Sequence, residues 1–163
     1  MRDKLIRMAA AAVGGVVATY VMRRAMGMSG KMPAQMRPPA PTQDPGHFMV
    51  KQAEKLVGRF SPKMHSGAAK SLHWVYGLTG PLVLGALATT LDLRSVRKTL
   101  LAGAVMGAIN WAAGFAGWLP ATGLTPPPHR VPLGKSASGL ATHVAYGALA
   151  SLPLALVAPR FTA

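Results

Sequence analysis

Four of the side chains that could do chemistry in this 163-residue sequence stand in two copies of one pentad. They are His73-Trp74-Val75-Tyr76-Gly77 and His143-Val144-Ala145-Tyr146-Gly147, both of the form H-x-x-Y-G. On a helix, positions i, i+3 and i+4 share one face, so each copy presents an imidazole and a phenol beside a notch where another backbone can approach. Imidazole suits haem iron and most first-row transition metals, and two histidines on neighbouring helices at one depth would make a shared ligand pair. The competing reading, and the one adopted, is that each side chain is satisfied by hydrogen bonding near an interface. A single histidine per helix is not a ligand motif, and no acidic residue is available beside the pentads to orient it. No cofactor is therefore expected, with haem or metal at His73 and His143 as the alternative.

Other chemistries have less support. The four acidic residues, Asp3, Asp44, Glu54 and Asp92, are scattered among termini and turns, so neither paired carboxylates nor a Ser-His-Asp set can be assembled. The chain is not expected to be an enzyme. Cysteine is absent, which excludes disulfides and thiolate-ligated metals. A net charge of +14 raises nucleic acid as a partner. The basic residues flank apolar runs instead of forming a stripe with interleaved aromatics, and no nucleic-acid partner is expected.

Charge is missing from Ser71 to Leu91, from Thr99 to Pro128 and from Ser136 to Pro159. A hydrocarbon core needs about 20 residues of helix, and each gap is that long. A fourth apolar run, Met8 to Met22, follows the basic residues Arg2, Lys4 and Arg7; Arg7 is expected to snorkel to the interface. A signal peptide is the rival reading of this start, and Arg23-Arg24 directly after the run argues for a retained helix. The expected fold is all-α: an integral membrane four-helix bundle with spans at about 5–25, 71–91, 100–119 and 138–158. All 163 residues form a single membrane domain. Gly14 and Gly15, and the G-x-x-x-G pair Gly103 and Gly107, are expected to pack helices closely. Asn110, near the middle of the third span, reads as an interhelical hydrogen-bonding clip. Pro81 should kink the second span.

Between the first two spans lies the linker 27–70. Pro33, Pro38, Pro39, Pro41 and Pro45 keep its first half extended. After Asp44-Pro45, a helix N-cap and first position, residues 46–60 become amphipathic. Met49, Ala53, Leu56, Val57 and Phe60 lie on one face, and Lys51, Gln52, Lys55 and Arg59 on the other. Such a helix lies flat on lipid headgroups or packs on the protein. Four crossings put the linker and the 120–135 loop on one side, the linker side, with eleven Lys and Arg residues against seven on the other. The positive-inside rule thus leans slightly toward a cytoplasmic linker. All five histidines fall on or near the linker side. The doubled pentad suggests two parallel helical-hairpin repeats, chance recurrence being the other reading. It also places His73 and His143 at one depth, with Gly77 and Gly147 letting their helices meet and Tyr76 and Tyr146 one turn deeper.

Leu100-Leu101-Ala102-Gly103-Ala104, the Gly123-Leu124-Thr125-Pro126-Pro127 loop before a His-bearing span, and Gly14-Gly15-Val16-Val17 together resemble the YagU-type family of small bacterial inner-membrane proteins. The chain departs from that pattern in its long Pro-rich linker and in Arg23-Arg24. The family is a domain of unknown function, so the resemblance implies a multi-pass protein of the bacterial inner (cytoplasmic) membrane and carries over no catalytic residue. The function expected is that of an accessory or scaffold protein, with the lipid bilayer and other membrane proteins or itself as partners. A redox subunit using His73 and His143, and a minimal transporter or pore, are the alternatives.

Overall fold

A computed structural model of the chain describes residues 2–161. Among the described residues the regular structure is entirely helical, with five helices of some length. They are α1 (Arg2–Gly27), α2 (Pro45–Val57), α3 (Pro62–Leu87), α4 (Val96–Trp111) and α5 (Leu133–Val157). Past Trp111, α4 continues as a π-helical segment, Ala112–Trp118, and ends at Leu119–Ala121. Among the described residues, three helices are long and apolar enough to cross a membrane: α1, the continuous Val96–Ala121 helix and Leu133–Arg160. Although α3 has 26 residues, it does not reach that apolarity.

Local chemistry accounts for the boundaries. The Asp44 carboxylate accepts the His47 backbone N–H at 2.9 Å, and Pro45 fills the first turn of α2, where no amide donor is needed. Ser61-Pro62 repeats this device at α3, with Ser61 Oγ accepting the Met64 N–H at 3.3 Å. The helix therefore starts nine residues before the expected span at Ser71, because Lys63 and Lys70 interrupt the apolar run without interrupting the helix. It stops at Leu87, short of Leu91. In the following turn Asp92 adopts a left-handed conformation with φ 50, where its carboxylate binds Arg94 at 2.7 Å and Lys98 at 3.0 Å. The Lys98 hydrogen bond, and the positive charges of Lys98 and Arg94, hold the Asp92 carboxyl below the usual carboxylate range.

The interior is made of small residues, and backbones meet there. A Cβ placed on Gly107 would land on the His143 carbonyl, and one on Gly147 on the Gly103 carbonyl. The antiparallel helices α4 and α5 thus touch main chain to main chain. Their partners follow in order: Gly103 meets Gly147 and Ser151, Gly107 meets His143, and Gly139 meets Trp111. On its other side α5 receives α1, where Gly14 rests on the Ala150 carbonyl and Pro153. From α1, Gly15 packs on Leu78 and Pro81 of α3, and Gly85 of α3 packs on Ala11. Arg7 does not snorkel, since it is 6% exposed where α1 crosses the end of α3.

The Pro-rich segment is strapped across the ends of α4 and α5. Thr42 N–H donates to the Leu124 carbonyl at 2.8 Å, Ser138 Oγ donates to the Met36 carbonyl, and Gln35 lies against Gly134. Proline removes main-chain donors here, so the strap is held by few bonds. Nor does α2 lie apart on a surface. It folds back along the start of α3, with Gly46 against the Ala69 carbonyl and Val50 3% exposed.

Gly147→Val should cost about 1–3 kcal/mol or more, as overpacking against rigid backbone does, and lower the unfolding midpoint in detergent. Gly67→Ala, at a helical position with nothing within 4 Å of the added carbon, should instead raise stability by up to about 1 kcal/mol.

Candidate functional site

Each pentad turns its tyrosine and its glycine toward different helices. In the second copy, the Tyr146 hydroxyl donates to the Gly77 carbonyl of α3 and lies 3.3 Å from Thr19 Oγ1 of α1. Gly147, one residue on, faces α4. In the first copy, the Tyr76 hydroxyl donates to the Asn110 carbonyl of α4 at 3.1 Å, and Gly77 faces Thr19 of α1. The expectation that Gly77 and Gly147 bring α3 and α5 together is corrected. Each glycine instead receives an antiparallel neighbour, α1 for Gly77 and α4 for Gly147, and α3 meets α5 through Tyr146 and, further along, through Leu84 against Leu154.

The histidines part company as well. His143 is half-buried, with Nδ1 2.9 Å from the Gly139 carbonyl of its own helix and its ring edge-on to Phe115 at 5.5 Å between centroids. His73 is exposed on α3, with Arg23 and Asp44 as its charged neighbours. Beside it Trp74 receives the Arg23 guanidinium at 5.8 Å over its ring. The expected approach of the two imidazoles is therefore not made, since one looks out and the other into the α4 interface. Among the described residues no group of three His, Asp or Glu side chains gathers as a metal-binding set.

Asn110 takes part through its backbone, not its amide. Its carbonyl accepts Tyr76 just before α4 passes into the π-helical segment, where the ladder of main-chain acceptors is reset. The residue also lines a gap of about 10 Å³ with Gly80, Pro81, Met106 and Tyr146, about the space of one water molecule. A second gap, about 20 Å³, lies under the strap, between Pro38, Pro39, Trp111, Phe115 and Thr125. Thr125 Oγ1 is buried without a hydrogen-bond partner.

Two features were not anticipated from the sequence. Thr19 is the shared contact of Gly77 and Tyr146, yet a threonine inside an apolar run gives no signal of that role. The other is a cluster of His47, His65 and Glu54 between α2 and α3. Its only sequence trace is that His47 and Glu54 stand two turns apart on one face of an amphipathic helix.

Comparison with family models, curated proteins and solved structures finds no match to this chain.

Tyr146→Phe should cost about 1–2 kcal/mol, because the hydroxyl bridges helices away from water. Tyr76→Phe, at a hydroxyl on a 42% exposed residue, should cost less than about 1 kcal/mol. Reversible unfolding in mixed micelles measures both, and equal losses would overturn the assignment of Tyr146 as the main tie.

Proposed function

We propose that the chain is a four-crossing membrane protein that serves as an accessory or scaffold, offering helix faces to other membrane proteins in the bilayer. The observation that carries this reading is the division of α4 into two faces. Gly103 and Gly107 are buried against α5, while Leu101, Val105 and Ile109, four residues apart, are each between 56% and 58% exposed. Water penalises such a ridge, whereas lipid or a partner helix accepts it. On α1, Val13, Val16, Val17 and Val21 are likewise exposed, and on α5 Leu152 and Leu156.

The fourth crossing is α3. Its low apolarity comes largely from Lys63, His65, Lys70 and His73 in its first half; past them Gly77, Pro81 and Gly85 are buried against α1, while Val75, Val83 and Leu87 point outward. Past His73, what lipid would meet is more apolar than the average of the helix. Internal duplication belongs to the same proposal. In each half an antiparallel hairpin closes on the pentad glycine, α1 on Gly77 and α4 on Gly147, and each pentad tyrosine reaches the first helix of the other half. A multi-pass protein of the bacterial inner membrane, as the resemblance to the YagU-type family implies, fits this reading. The transporter and shared-ligand alternatives fit less well: the two gaps described above hold about one water each, and His73 turns away from His143.

Single cysteines in the cysteine-free chain test the crossings. Thiols at Gly30 and Arg130 should label from one face of the membrane and a thiol at Arg94 from the other. Gly30 and Arg94 on one face, opposite Arg130, would mean three crossings and overturn the model. A photocrosslinker at Val105 tests the scaffold role: discrete protein adducts in native membranes are expected, and adducts to lipid alone would count against it.

A further inference from the structure

A chain of three titratable side chains joins α2 to α3. His65 Nδ1 lies 2.9 Å from Glu54 Oε1, and His65 Nε2 lies 3.1 Å from His47 Nδ1. Glu54 Oε1 also accepts the Phe60 N–H at 3.1 Å. The two imidazole centroids are 5.1 Å apart with planes inclined by 26°. Because the facing nitrogens are closer than the centroids by about the width of a ring, the imidazoles meet edge to edge through nitrogen, and are not stacked face on face. That is the arrangement of one proton held between two bases. Little else holds the helix: Val50 is its one buried hydrophobic residue, and Gly46 meets Ala69.

We infer that the Glu54–His65–His47 chain is a proton-operated clasp, holding α2 on α3 while the histidine pair carries at most one added proton and releasing it when the pair carries two. With both imidazoles neutral, His47 Nδ1–H donates to His65 Nε2, and His65 Nδ1–H donates to the Glu54 carboxylate. One added proton fits on His47 Nε2 without disturbing either bond. The charge is then shared across the bridging proton, close to Glu54. A second proton must go to the bridging position. Two N–H groups then face each other at 3.1 Å with no acceptor, and two cations adjoin.

The surroundings oppose that second proton. On α2, Lys51 and Lys55 lie within a turn or two of His47 and Glu54, and Arg59 in the connecting turn acts on Glu54. On α3 the same end carries Lys63 and Lys70, with His73 two turns beyond His65. Against these stand Asp44, capping His47, and Glu54 itself. The first turn of α2 also disfavours positive charge at His47.

The direction with pH follows by linkage. The first proton leaves both hydrogen bonds of the chain in place, so docking is kept through that step. The second sets two N–H groups against each other across that 3.1 Å contact, so docking weakens on further acidification. The His65 hydrogen bond, against partial desolvation and aided by the Phe60 N–H and the charges of His65 and Arg59, holds the Glu54 carboxyl below its ordinary 4.5. Its contribution is present above that value and is lost as pH falls below it. Release therefore comes on acidification, once both imidazoles carry a proton.

Single thiols in the full-length, otherwise cysteine-free chain in detergent micelles test this without reference to the scaffold reading. Val50→Cys reports undocking, and Leu56→Cys, at an 88% exposed position, corrects for the thiol's own response to pH. The ratio of their labelling rates should rise about tenfold between roughly pH 7 and pH 5, as opening of a local unit does. In a His47→Gln background, which keeps a donor but takes no proton, the ratio should stay flat over that interval. Ala69→Cys, 4% exposed on the α3 side, guards against loosening by the Val50 substitution, and amide exchange of α2 in the unsubstituted chain should show the same acid opening. A flat ratio at both positions, or a full response retained with His47→Gln, overturns the clasp.

Discussion

The fold depends on main chain meeting main chain at Gly103, Gly107 and Gly147. Helices this rich in glycine and alanine have few large side chains to bury between them, and their association relies on dispersion contacts, hydrogen bonds and shape. Glycine permits all three, since removing the side chain brings carbonyls and Cα atoms of α4 and α5 into contact along two turns. Beside that contact, at adjoining positions of α5, Ala150 meets α1 and Leu154 meets α3. Gly14 of α1 has then only one place to rest. The cost is that the interior tolerates almost no growth: Leu124, Leu154, Thr99 and Ser151 are the largest fully buried side chains.

A polar group in this interior acts as a tie where it meets an acceptor on another helix. Tyr146 is the clearest case, a single hydroxyl placed between Thr19 of α1 and the Gly77 carbonyl of α3. Thr99 behaves differently, returning its hydroxyl to the Ser95 carbonyl of its own helix at 2.9 Å, as a buried threonine can without any partner. Residues of similar polarity thus serve different ends, and the difference lies in reach: a phenol spans the gap between helices that a short hydroxyl cannot.

Legibility followed period and charge. The apolar, charge-free runs marked the places of α1, α4 and α5 because lipid-sized helices need unbroken apolar length, and Asp44-Pro45 marked the start of α2 because its cap is local chemistry. The early start of α3 at Pro62 was hidden, as the lysines that broke the apolar run did not break the helix. Gly103 and Gly107 were readable as a contact, whereas the partner of Gly77 was not: a glycine states that something comes close and does not say what. The His47–His65–Glu54 cluster was invisible for the same reason. It depends on α2 folding back on α3, and that pairing is set by a four-residue turn, Gly58 to Ser61, with Gly58 at φ 97.

The geometry of the pentad explains why it reads as a ligand motif in one dimension and as a packing motif in three. At 3.6 residues per turn, successive side chains are about 100° apart, so the adjacent tyrosine and glycine point a quarter of the way round the helix from each other. A helix with a close neighbour at its glycine must therefore send its tyrosine to a different neighbour. That is what both copies do, Gly77 to α1 and Tyr76 to α4, Gly147 to α4 and Tyr146 to α1 and α3. The histidine, one turn nearer the linker side, lies beyond the closest contacts and is left to local circumstance. His143 finds a carbonyl of its own helix and the edge of Phe115, and His73 remains outside beside Trp74 and Arg23. A shared ligand would require both imidazoles to turn toward one point. In α3 and α5 the pentad glycines are given to α1 and α4, and the two imidazoles do not turn toward one point.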